Sequence, residues 1–209
     1  MEAAPTLWTL IQAIAAGDAA RALAMMAADP ALARARLDGG ATRAEAKAWY
    51  LGEIGHYAYA GDTALHVAAA GYRTEIAERL IALGAEVGAR NRRGAAPLHY
   101  AADGQPGEGA WNPAAQAATV GLLIGAGADP NAKDMNGVAP LHRAVRTRCA
   151  AAVEALLAGG ADPMLANGRG ATPLALATAT SGRGGSGSAE ARAQQARIVR
   201  RLAPRGERA

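Results

Sequence analysis

The sequence is poor in the residues on which disulfide-rich, aromatic-cored and membrane-spanning proteins depend. A single cysteine, Cys149, excludes an internal disulfide framework and a cysteine-rich zinc module. There is no phenylalanine, and aromatic residues make up only 4% of the chain. No stretch reaches the roughly 20 apolar residues that a spanning helix needs, so we expect no membrane segment. We expect a core of short, closely packed helices built from alanine, leucine, isoleucine and valine.

Positive charge is carried almost entirely by arginine. Lysine occurs only at Lys47 and Lys133, and the 22 basic and 18 acidic residues give a formal net charge of +4. Hydrophobic residues make up 51% of the 209 residues, which excludes a disordered composition and is sufficient for a core. Glu2 stands where an export signal would carry a basic residue, so we expect a cytoplasmic protein.

A nine-residue pattern occurs four times and organises the chain into repeats. Successive copies start 33, 43 and 33 residues apart, so the middle spacing is one period plus an insertion of ten. A second motif, Gly-Ala followed by Asp or Glu, recurs in phase at Gly84, Gly127 and Gly160. Two motifs in phase at one period indicate stacked repeats. The copies of the first pattern are Gly61–Ala69, Gly94–Ala102, Gly137–Val145 and Gly170–Thr178.

These copies resemble the ankyrin repeat family, whose pattern is G-x-T-P-L-H-x-A-A followed by L-L-x-x-G-A-D. The resemblance implies an all-α ankyrin-repeat solenoid of stacked helix-turn-helix units with short turn tips. We expect about four recognisable repeats after a degenerate N-terminal unit. Residues 1–60 would form an N-terminal helical cap with the degenerate repeat and an extra helix. Residues 61–209 would form the repeats, namely 61–93, 94–136 with a loop insertion, 137–169, and 170–209, a C-terminal capping repeat with a glycine-rich insertion.

Helix start signals agree with this division. Thr63 and Thr172 are suited to cap a helix N-terminus, and a proline stands at the first helical position in three of the four copies. Apolar spacing predicts a helix pair over residues 6–28, broken in its middle. A capping-box pattern predicts a further helix from Thr42 to Ile54. The chain should end in an arginine-rich helix over about residues 189–202.

Chemically reactive residues recur without forming a recognisable catalytic site. The resemblance implies that the histidine of the repeat pattern hydrogen-bonds backbone between neighbouring turns. Helices packed about 10 Å apart would also keep three such histidines too far apart to share a metal ion. We interpret Cys149 as an apolar packing residue, because a nucleophile would need contact with a base. We therefore expect no catalytic residue, no metal and no cofactor. The three histidines are His66, His99 and His142.

Two glycine-rich segments leave alternatives open. Residues 182–188 lack the ending of a phosphate-binding loop, so they are either a plain insert or a loop that contributes to binding. The insertion at residues 103–113 contains Trp111, which either anchors the loop to the repeats or belongs to a binding surface. At two turns that usually carry Gly-His, the chain has Tyr72-Arg73 and Arg148-Cys149. A positive φ is expected there, at a cost for residues other than glycine.

The resemblance implies that a partner lies on the turn tips and inner helices. Among the residues carried over to that surface, six are basic and two, Asp62 and Asp103, are acidic. Such a surface favours an acidic protein segment as partner, with Tyr57, Tyr59 and Met135 as apolar anchors. The alternative is that arginine merely solvates the tips. The predicted partner-binding residues are Tyr57, Tyr59, Asp62, Arg90, Arg92, Arg93, Trp111, Lys133, Met135, Arg146 and Arg169.

The sequence therefore predicts a non-enzymatic protein-binding module, expected to be a monomer. One alternative is a small anionic ligand, or an enzyme, using the inserted loops and a pocket formed by His56 and the tyrosines beside it. Another is nucleic-acid binding through the basic strip, which six basic residues support only weakly.

Overall fold

A computed structural model describes residues 6–104, 111–179 and 188–203 of the protein. Helices form five consecutive pairs in this part of the chain, and the predicted all-α repeat solenoid is confirmed. A two-stranded antiparallel hairpin, with β1 at Tyr50–Leu51 and β2 at His56–Tyr57, lies between the second and third helices. The helices are α1 Leu7–Ala16, α2 Ala19–Ala28, α3 Ala64–Ala70, α4 Thr74–Ala82, α5 Pro97–Ala102, α6 Pro113–Gly125, α7 Pro140–Arg146, α8 Ala150–Ala158, α9 Pro173–Thr178 and α10 Ala189–Leu202.

Equivalent helices of successive pairs stack into two rows. The first helices α1, α3, α5, α7 and α9 form an inner row, and the second helices α2, α4, α6, α8 and α10 form an outer row. The leucine of the repeat pattern is fully buried between the rows in three repeats. One pair alone cannot bury its apolar face, so stability depends on contacts with its neighbours. These leucines are Leu65, Leu98 and Leu141.

Predicted helix boundaries hold throughout the repeats. The Thr63 hydroxyl contacts His66 Nδ1 at 3.0 Å, and the Thr172 hydroxyl accepts the N–H of Ala175 at 3.3 Å. Gly61 has φ +83°, and a Cβ there would lie 2.9 Å from the backbone of Asn91. Both the conformation and the close approach therefore require glycine at this turn.

The turn tips share one hydrogen-bonding pattern. Asn91 Oδ1 accepts the N–H groups two and four residues later, at 2.9 and 3.1 Å. Asp134 and Asn167 repeat this arrangement in the next two tips. Adjacent tips are also joined, since the N–H of Met135 donates to the carbonyl of Arg93 at 3.0 Å. The tips thus form an ordered row that holds the intervening side chains outward.

The helix predicted from Thr42 to Ile54 is wrong. One part of its capping box forms, because Thr42 accepts the N–H of Glu45 at 3.1 Å. The chain then makes two 3-10 turns, Ala46–Trp49 and Gly52–Ile54, on either side of β1. Tyr50 pairs with Tyr57 across the hairpin, and Gly55 reverses the chain with φ +60°. Pairing between aromatic residues in strands outweighs the local helix signal here.

The structure agrees with the helices predicted at the two ends and with the conformation predicted at two turns. The N-terminal helix pair is confirmed as α1 and α2, and the final helix as α10 over residues 189–202. Tyr72 and Arg148 have φ of +54° and +61°, so the expected positive φ is present at both turns. Predictions for residues 105–110 and 180–187, which hold most of the two insertions, lie outside the described residues.

None of the helices in the described ranges is both long and apolar enough to cross a membrane.

Candidate functional site: two adjacent cavities beside the turn tips

Two cavities adjoin each other where the hairpin meets the turn tips and the inner helices. The hairpin cavity has a volume of about 540 Å³ and is lined by Ala41, Thr42, Arg43, Ala46, Tyr57, Tyr59, Arg92, Arg93, Met135 and Asn136. The inner cavity has a volume of about 230 Å³ and is lined by His56, Tyr59, Asn91, Arg93, Ala95, Tyr100, Asp103, Asp134, Asn136, Val138, Arg143 and Arg146.

Tyr59 positions the arginines of the hairpin cavity. The Arg93 guanidinium lies 4.8 Å from the centre of the Tyr59 ring and donates to its hydroxyl at 2.8 Å. Arg92 lies 5.5 Å from the same ring and donates to the carbonyl of Ala41, which ties the turn tip to the segment before the hairpin. Cation–π contacts of this kind hold a guanidinium in place without neutralising its charge.

The hairpin cavity combines positive charge with exposed apolar surface. Arg43, Arg92 and Arg93 are exposed, and the cavity lining contains no acidic residue. None of the three forms an ion pair with any described residue. Tyr57 is 39% exposed and Met135 is 76% exposed. The cavity is therefore suited to a ligand that carries negative charge beside apolar groups.

Arg143 dominates the inner cavity and is clamped between two carboxylates. Its Nη1 lies 3.0 Å from Asp103 Oδ2, and its Nη2 lies 3.0 Å from Asp134 Oδ2. Burial alone would lower the pKa of Arg143, but these carboxylates outweigh it and raise the pKa. Burial alone would raise the pKa of Asp134, but bonds from Val138 N–H and Arg143 outweigh it and lower the pKa. Arg143 and Asp134 are therefore both charged at neutral pH.

Three buried polar atoms of the inner cavity have no hydrogen-bond partner within the described structure. They are His56 Nε2, Asp103 Oδ1 and Arg143 Nε. Burial lowers the pKa of His56, which keeps its imidazole neutral, and the ring lies 4.2 Å from the ring centre of Tyr100. Buried polar atoms are almost always paired in folded proteins. Their residues line the inner cavity, but these three atoms are enclosed behind its surface and offer no contact to a molecule inside it.

Asp62 does not lie on the partner surface, and its prediction as an exposed binding residue is wrong. Its side chain has 0% exposure, and its carboxylate accepts from Asn91 at 2.8 Å and from the Tyr100 hydroxyl at 2.9 Å. It occupies the repeat position that Ala95 and Val138 hold in the following copies. That position faces the next repeat, so the carboxylate is buried in a hydrogen-bonded network behind the inner cavity.

Apart from Trp111, the other predicted binding residues lie along the turn tips or line the two cavities. Arg90, Lys133 and Arg169 are exposed on the tip row, and Arg90 donates to the carbonyl of Gly94 at 3.1 Å. The side chain of Arg146 is 58% exposed at the rim of the inner cavity, with its Nη2 3.7 Å from Asp103 Oδ1. The single pocket predicted around His56 and its neighbouring tyrosines is two cavities in the structure, with His56 in one, Tyr57 in the other and Tyr59 between them.

Trp111 lines neither cavity. Its indole N–H donates to the side-chain oxygen of Gln116 at 3.0 Å. Gln116 in turn donates to the carbonyls of Ala101 and Asp103. These bonds anchor the end of the inserted loop to α5 and α6.

The repeat histidines have backbone partners on both ring nitrogens. In His99, Nδ1 accepts the N–H of Ala96 at 3.1 Å, and Nε2 donates to the carbonyl of Val138 in the next tip at 3.1 Å. His66 and His142 make the same pair of contacts. Burial lowers the pKa of all three histidines, that of His99 to about 4. The predicted bonding to backbone between neighbouring turns is confirmed.

The thiol of Cys149 is not activated as a nucleophile. Cys149 is fully buried at the start of α8, and burial raises the pKa of its thiol to about 11. It is therefore a neutral packing residue at physiological pH. Among the residues that the structure covers, no group of three His, Cys, Asp or Glu side chains could hold a metal ion.

Three charged residues of the two cavities were not predicted from the sequence, namely Arg43, Asp134 and Arg143. Arg143 occupies the variable position of the pattern Pro-Leu-His-x-Ala, where the preceding copy has Tyr100. Both side chains face the inner cavity. A long polar residue at this position of an otherwise apolar helix is the signal that could have identified it.

Comparison with known families agrees with this architecture. The family model described as Ankyrin repeat matches residues 60–92 and 93–135, and the model described as Ankyrin repeats (many copies) matches residues 122–177. No match was found among curated proteins. Together the family matches span more than half of the chain and include the stacked tips, whereas the hairpin side of the cavities, with Arg43, Tyr57 and Tyr59, lies before the matched residues. The chain belongs to the ankyrin repeat family.

Proposed function

We propose that this protein is a non-enzymatic binding module that holds an acidic segment of a partner protein in the hairpin cavity and along the turn tips. Ankyrin repeats generally mediate protein–protein interaction. The observation that supports the acidic partner is the lining of the hairpin cavity, which has three exposed arginines and no carboxylate.

Several features of this cavity suit a peptide. Its volume of about 540 Å³ accommodates a few side chains, and its shape is fixed by the ordered tips on one side and the hairpin on the other. Tyr59 holds Arg93 in place before any ligand arrives, which reduces the entropy lost on binding. Tyr57 and Met135 supply the apolar contact that interface centres favour.

The acidic segment gains a longer track beyond the cavity. Arg90, Lys133 and Arg169 continue the exposed positive charge along the tips, and none of them forms an ion pair with a described residue. The carboxylates of the tips do not oppose this charge, because Asp62 is buried and Asp134 is paired with Arg143. A surface of one sign accelerates association with an oppositely charged partner.

Selection from a random peptide library on the immobilised full chain tests this proposal. We expect enriched peptides to contain Asp or Glu next to apolar residues, and to bind Arg43→Glu at least about tenfold more weakly than the wild type. Arg43 is the preferred target because its side chain makes no hydrogen bond with the described residues, so its replacement should not disturb the fold.

Arg21→Glu is the matched control for this test. Arg21 is also exposed but lies on the outer helix α2, and its replacement should leave peptide binding unchanged. Enrichment of basic or uncharged peptides, or equal binding by the Arg43 and Arg21 variants, would refute the acidic-partner proposal.

A further inference from the structure

We propose that the hairpin cavity takes a phosphorylated tyrosine of the bound segment, with its phosphate between the arginines and its ring against the apolar part of the lining. This inference rests on the proposed function, because the phosphotyrosine would be one residue of the acidic segment held there. It adds a requirement that Asp and Glu do not meet, namely two negative charges on one group that is joined to an aromatic ring.

The positive charge of the hairpin cavity exceeds what one carboxylate can balance. Arg43, Arg92 and Arg93 are exposed, and the lining contains no acidic residue. None of the three forms an ion pair with a described residue. A carboxylate brings one negative charge, whereas a phosphate monoester brings a charge of about −1.5 to −2 and three strong acceptor oxygens at neutral pH. A phosphate therefore matches three arginines better than one carboxylate does.

The arginines keep donors for such a ligand. Arg92 donates to the carbonyl of Ala41 and Arg93 to the hydroxyl of Tyr59, and neither side chain makes another hydrogen bond with the described residues. Their guanidinium groups lie 5.5 and 4.8 Å from the centre of the same Tyr59 ring, so both are held beside one another. The planar fork of N–H groups that arginine presents suits phosphate oxygens. Two fixed guanidinium groups can therefore share one phosphate, with Arg43 as the third.

Neutral donors also line the hairpin cavity. The Thr42 hydroxyl accepts the N–H of Glu45 at 3.1 Å, which leaves its own hydrogen free to donate. Asn136 adds a carboxamide at the opposite side of the lining, from the turn tip. Both can donate to a phosphate oxygen without changing the net charge of the cavity.

The apolar part of the lining suits an aromatic ring. Tyr57 and Met135 are both exposed and both line the cavity. Aromatic rings pack favourably against one another, and the sulfur of methionine makes favourable contacts with a ring. The cavity volume of about 540 Å³ is sufficient for a whole tyrosine phosphate. Phosphoserine has a single methylene between its backbone and its phosphate, so it has little apolar surface to place there.

The inner cavity does not offer the same chemistry, because its buried arginine already has carboxylate partners. Asp103 and Asp134 each lie 3.0 Å from the guanidinium group of Arg143. A dianion in that cavity would be repelled by both carboxylates. The charges of the two cavities therefore direct a phosphate to the hairpin cavity.

Matched peptides bound to the full chain test this inference. A random library with phosphotyrosine fixed at its centre is selected on the immobilised protein. The best sequence is then synthesised with tyrosine, phosphoserine or two adjacent glutamates at that place. We expect phosphotyrosine to bind at least about tenfold more tightly than tyrosine or the glutamate pair, because one dianion bonds to several arginines at once. We expect it to bind about threefold or more tightly than phosphoserine, which lacks the ring.

The pH dependence of the affinities identifies the dianion. The second pKa of a phosphate monoester is about 6, and the pKa of glutamate is about 4.3. Arginines are the charged groups of the lining, and His56, next to Tyr57 in the hairpin, lies in the inner cavity with a pKa that burial lowers. Acidification from about pH 7.5 to about 5.5 should therefore reduce the preference for phosphotyrosine over the glutamate pair about twofold or more. An unchanged ratio would contradict binding of a dianion.

Arg43→Gln links the preference to the hairpin cavity. Its side chain makes no hydrogen bond with the described residues, so the replacement should not disturb the fold. We expect it to weaken binding of the phosphotyrosine peptide at least about tenfold and binding of the glutamate pair about threefold. Arg21→Gln, on the outer helix α2, is the matched control and should leave both affinities unchanged. An unchanged phosphotyrosine affinity in Arg43→Gln would overturn the assignment to this cavity.

The outcomes separate the two proposals. Equal or tighter binding of the glutamate pair or of phosphoserine would overturn the phosphotyrosine inference and leave the acidic-partner proposal standing. Absence of binding by every acidic peptide, phosphorylated or not, would overturn both.

Discussion

Arg93 and Arg143 line neighbouring cavities, but their guanidinium groups have different surroundings. Arg93 is exposed, contacts the ring and hydroxyl of Tyr59, and meets no carboxylate. Arg143 is mostly buried and is held by Asp103 and Asp134 at 3.0 Å each. Two arginines that line the same cavity can therefore differ in function, one being available for binding and the other stabilising the fold. An arginine remains available to a partner only where no carboxylate of the chain reaches it.

Replacing each arginine by methionine should give the largest difference between the two, in the free energy of unfolding. We expect Arg143→Met to lower the free energy of unfolding by about 3–5 kcal/mol, because it leaves two carboxylates partly buried without their cation. Arg93→Met should cost about 1 kcal/mol or less, since its contact with Tyr59 is near the surface. Urea denaturation of both variants and the wild type measures the difference. Equal destabilisation by the two substitutions would contradict the distinction.

Acid should increase the difference between the two cavities, because the charged groups that line the hairpin cavity are all arginines, whereas titratable groups lie at or beside the inner cavity. His99 lies beside it and bonds to the carbonyl of Val138, which lines it. Burial, and second the charge of Arg143, lower the pKa of His99 to about 4 from an ordinary value of 6.5. The unfolded chain therefore binds a proton in this range that the folded chain does not. Stability should fall by about 2–3 kcal/mol for this residue as the pH drops from 6.5 to 4.

The unfolding midpoint measured across this range checks the sign. A His99→Gln variant should show a shallower fall than the wild type. A midpoint that rises on acidification would contradict the neutral, doubly bonded His99. The lowered pKa of Asp134 adds a second loss of stability below its ordinary value of 3.8, which Arg143→Met should diminish.

Added salt should lower the affinity for an acidic peptide more than it changes the stabilisation provided by Arg143. The arginines of the hairpin cavity are exposed, so added salt screens their attraction for an acidic peptide. We expect roughly tenfold weaker binding between low and high salt. The stability difference between wild type and Arg143→Met should change little, because the clamp is mostly buried. Fluorescence titration and denaturation at matched salt concentrations measure the two effects, and salt-independent peptide binding would argue against the proposal.

The smallest loss of stability is expected for Tyr72, which bonds to a residue at the edge of the inner cavity. The Tyr72 hydroxyl donates to the carbonyl of Asp103, the residue that clamps Arg143. We expect Tyr72→Phe to lower the free energy of unfolding by about 1 kcal/mol. Tyr57→Phe is the matched control, since Tyr57 is exposed and its replacement should cost almost nothing. Equal stabilities of the two variants would show that the hydroxyl of Tyr72 contributes nothing.

The repeats were predictable from sequence because their signals are local. Threonine caps, prolines at first helical positions and glycines at positive φ act within a few residues, so spacing alone located the tips. The hairpin was not predictable in the same way. Thr42 and Glu45 form a local helix-capping contact, but the pairing of Tyr50 with Tyr57 depends on where the surrounding chain meets the repeats.

Within the candidate site, the same distinction applies to individual side chains. Exposure of Arg92, Arg93 and Met135 followed from their place on the tips. The burial of Asp62 depends on Tyr100 and Asn91 of the next repeat. The clamp on Arg143 depends on Asp103, which is forty residues earlier in the chain. Stacking of neighbours brings these groups together, and a single repeat does not contain that information.

Charge reversal tests most directly whether the unpaired arginines of the hairpin cavity bind an acidic segment. The affinities of wild type and Arg92→Glu/Arg93→Glu should be measured for a selected acidic peptide and for its counterpart with lysine at each acidic position. We expect the variant to lose at least about tenfold in affinity for the acidic peptide and to gain affinity for the basic one. Unchanged binding of the acidic peptide by a folded variant would contradict it.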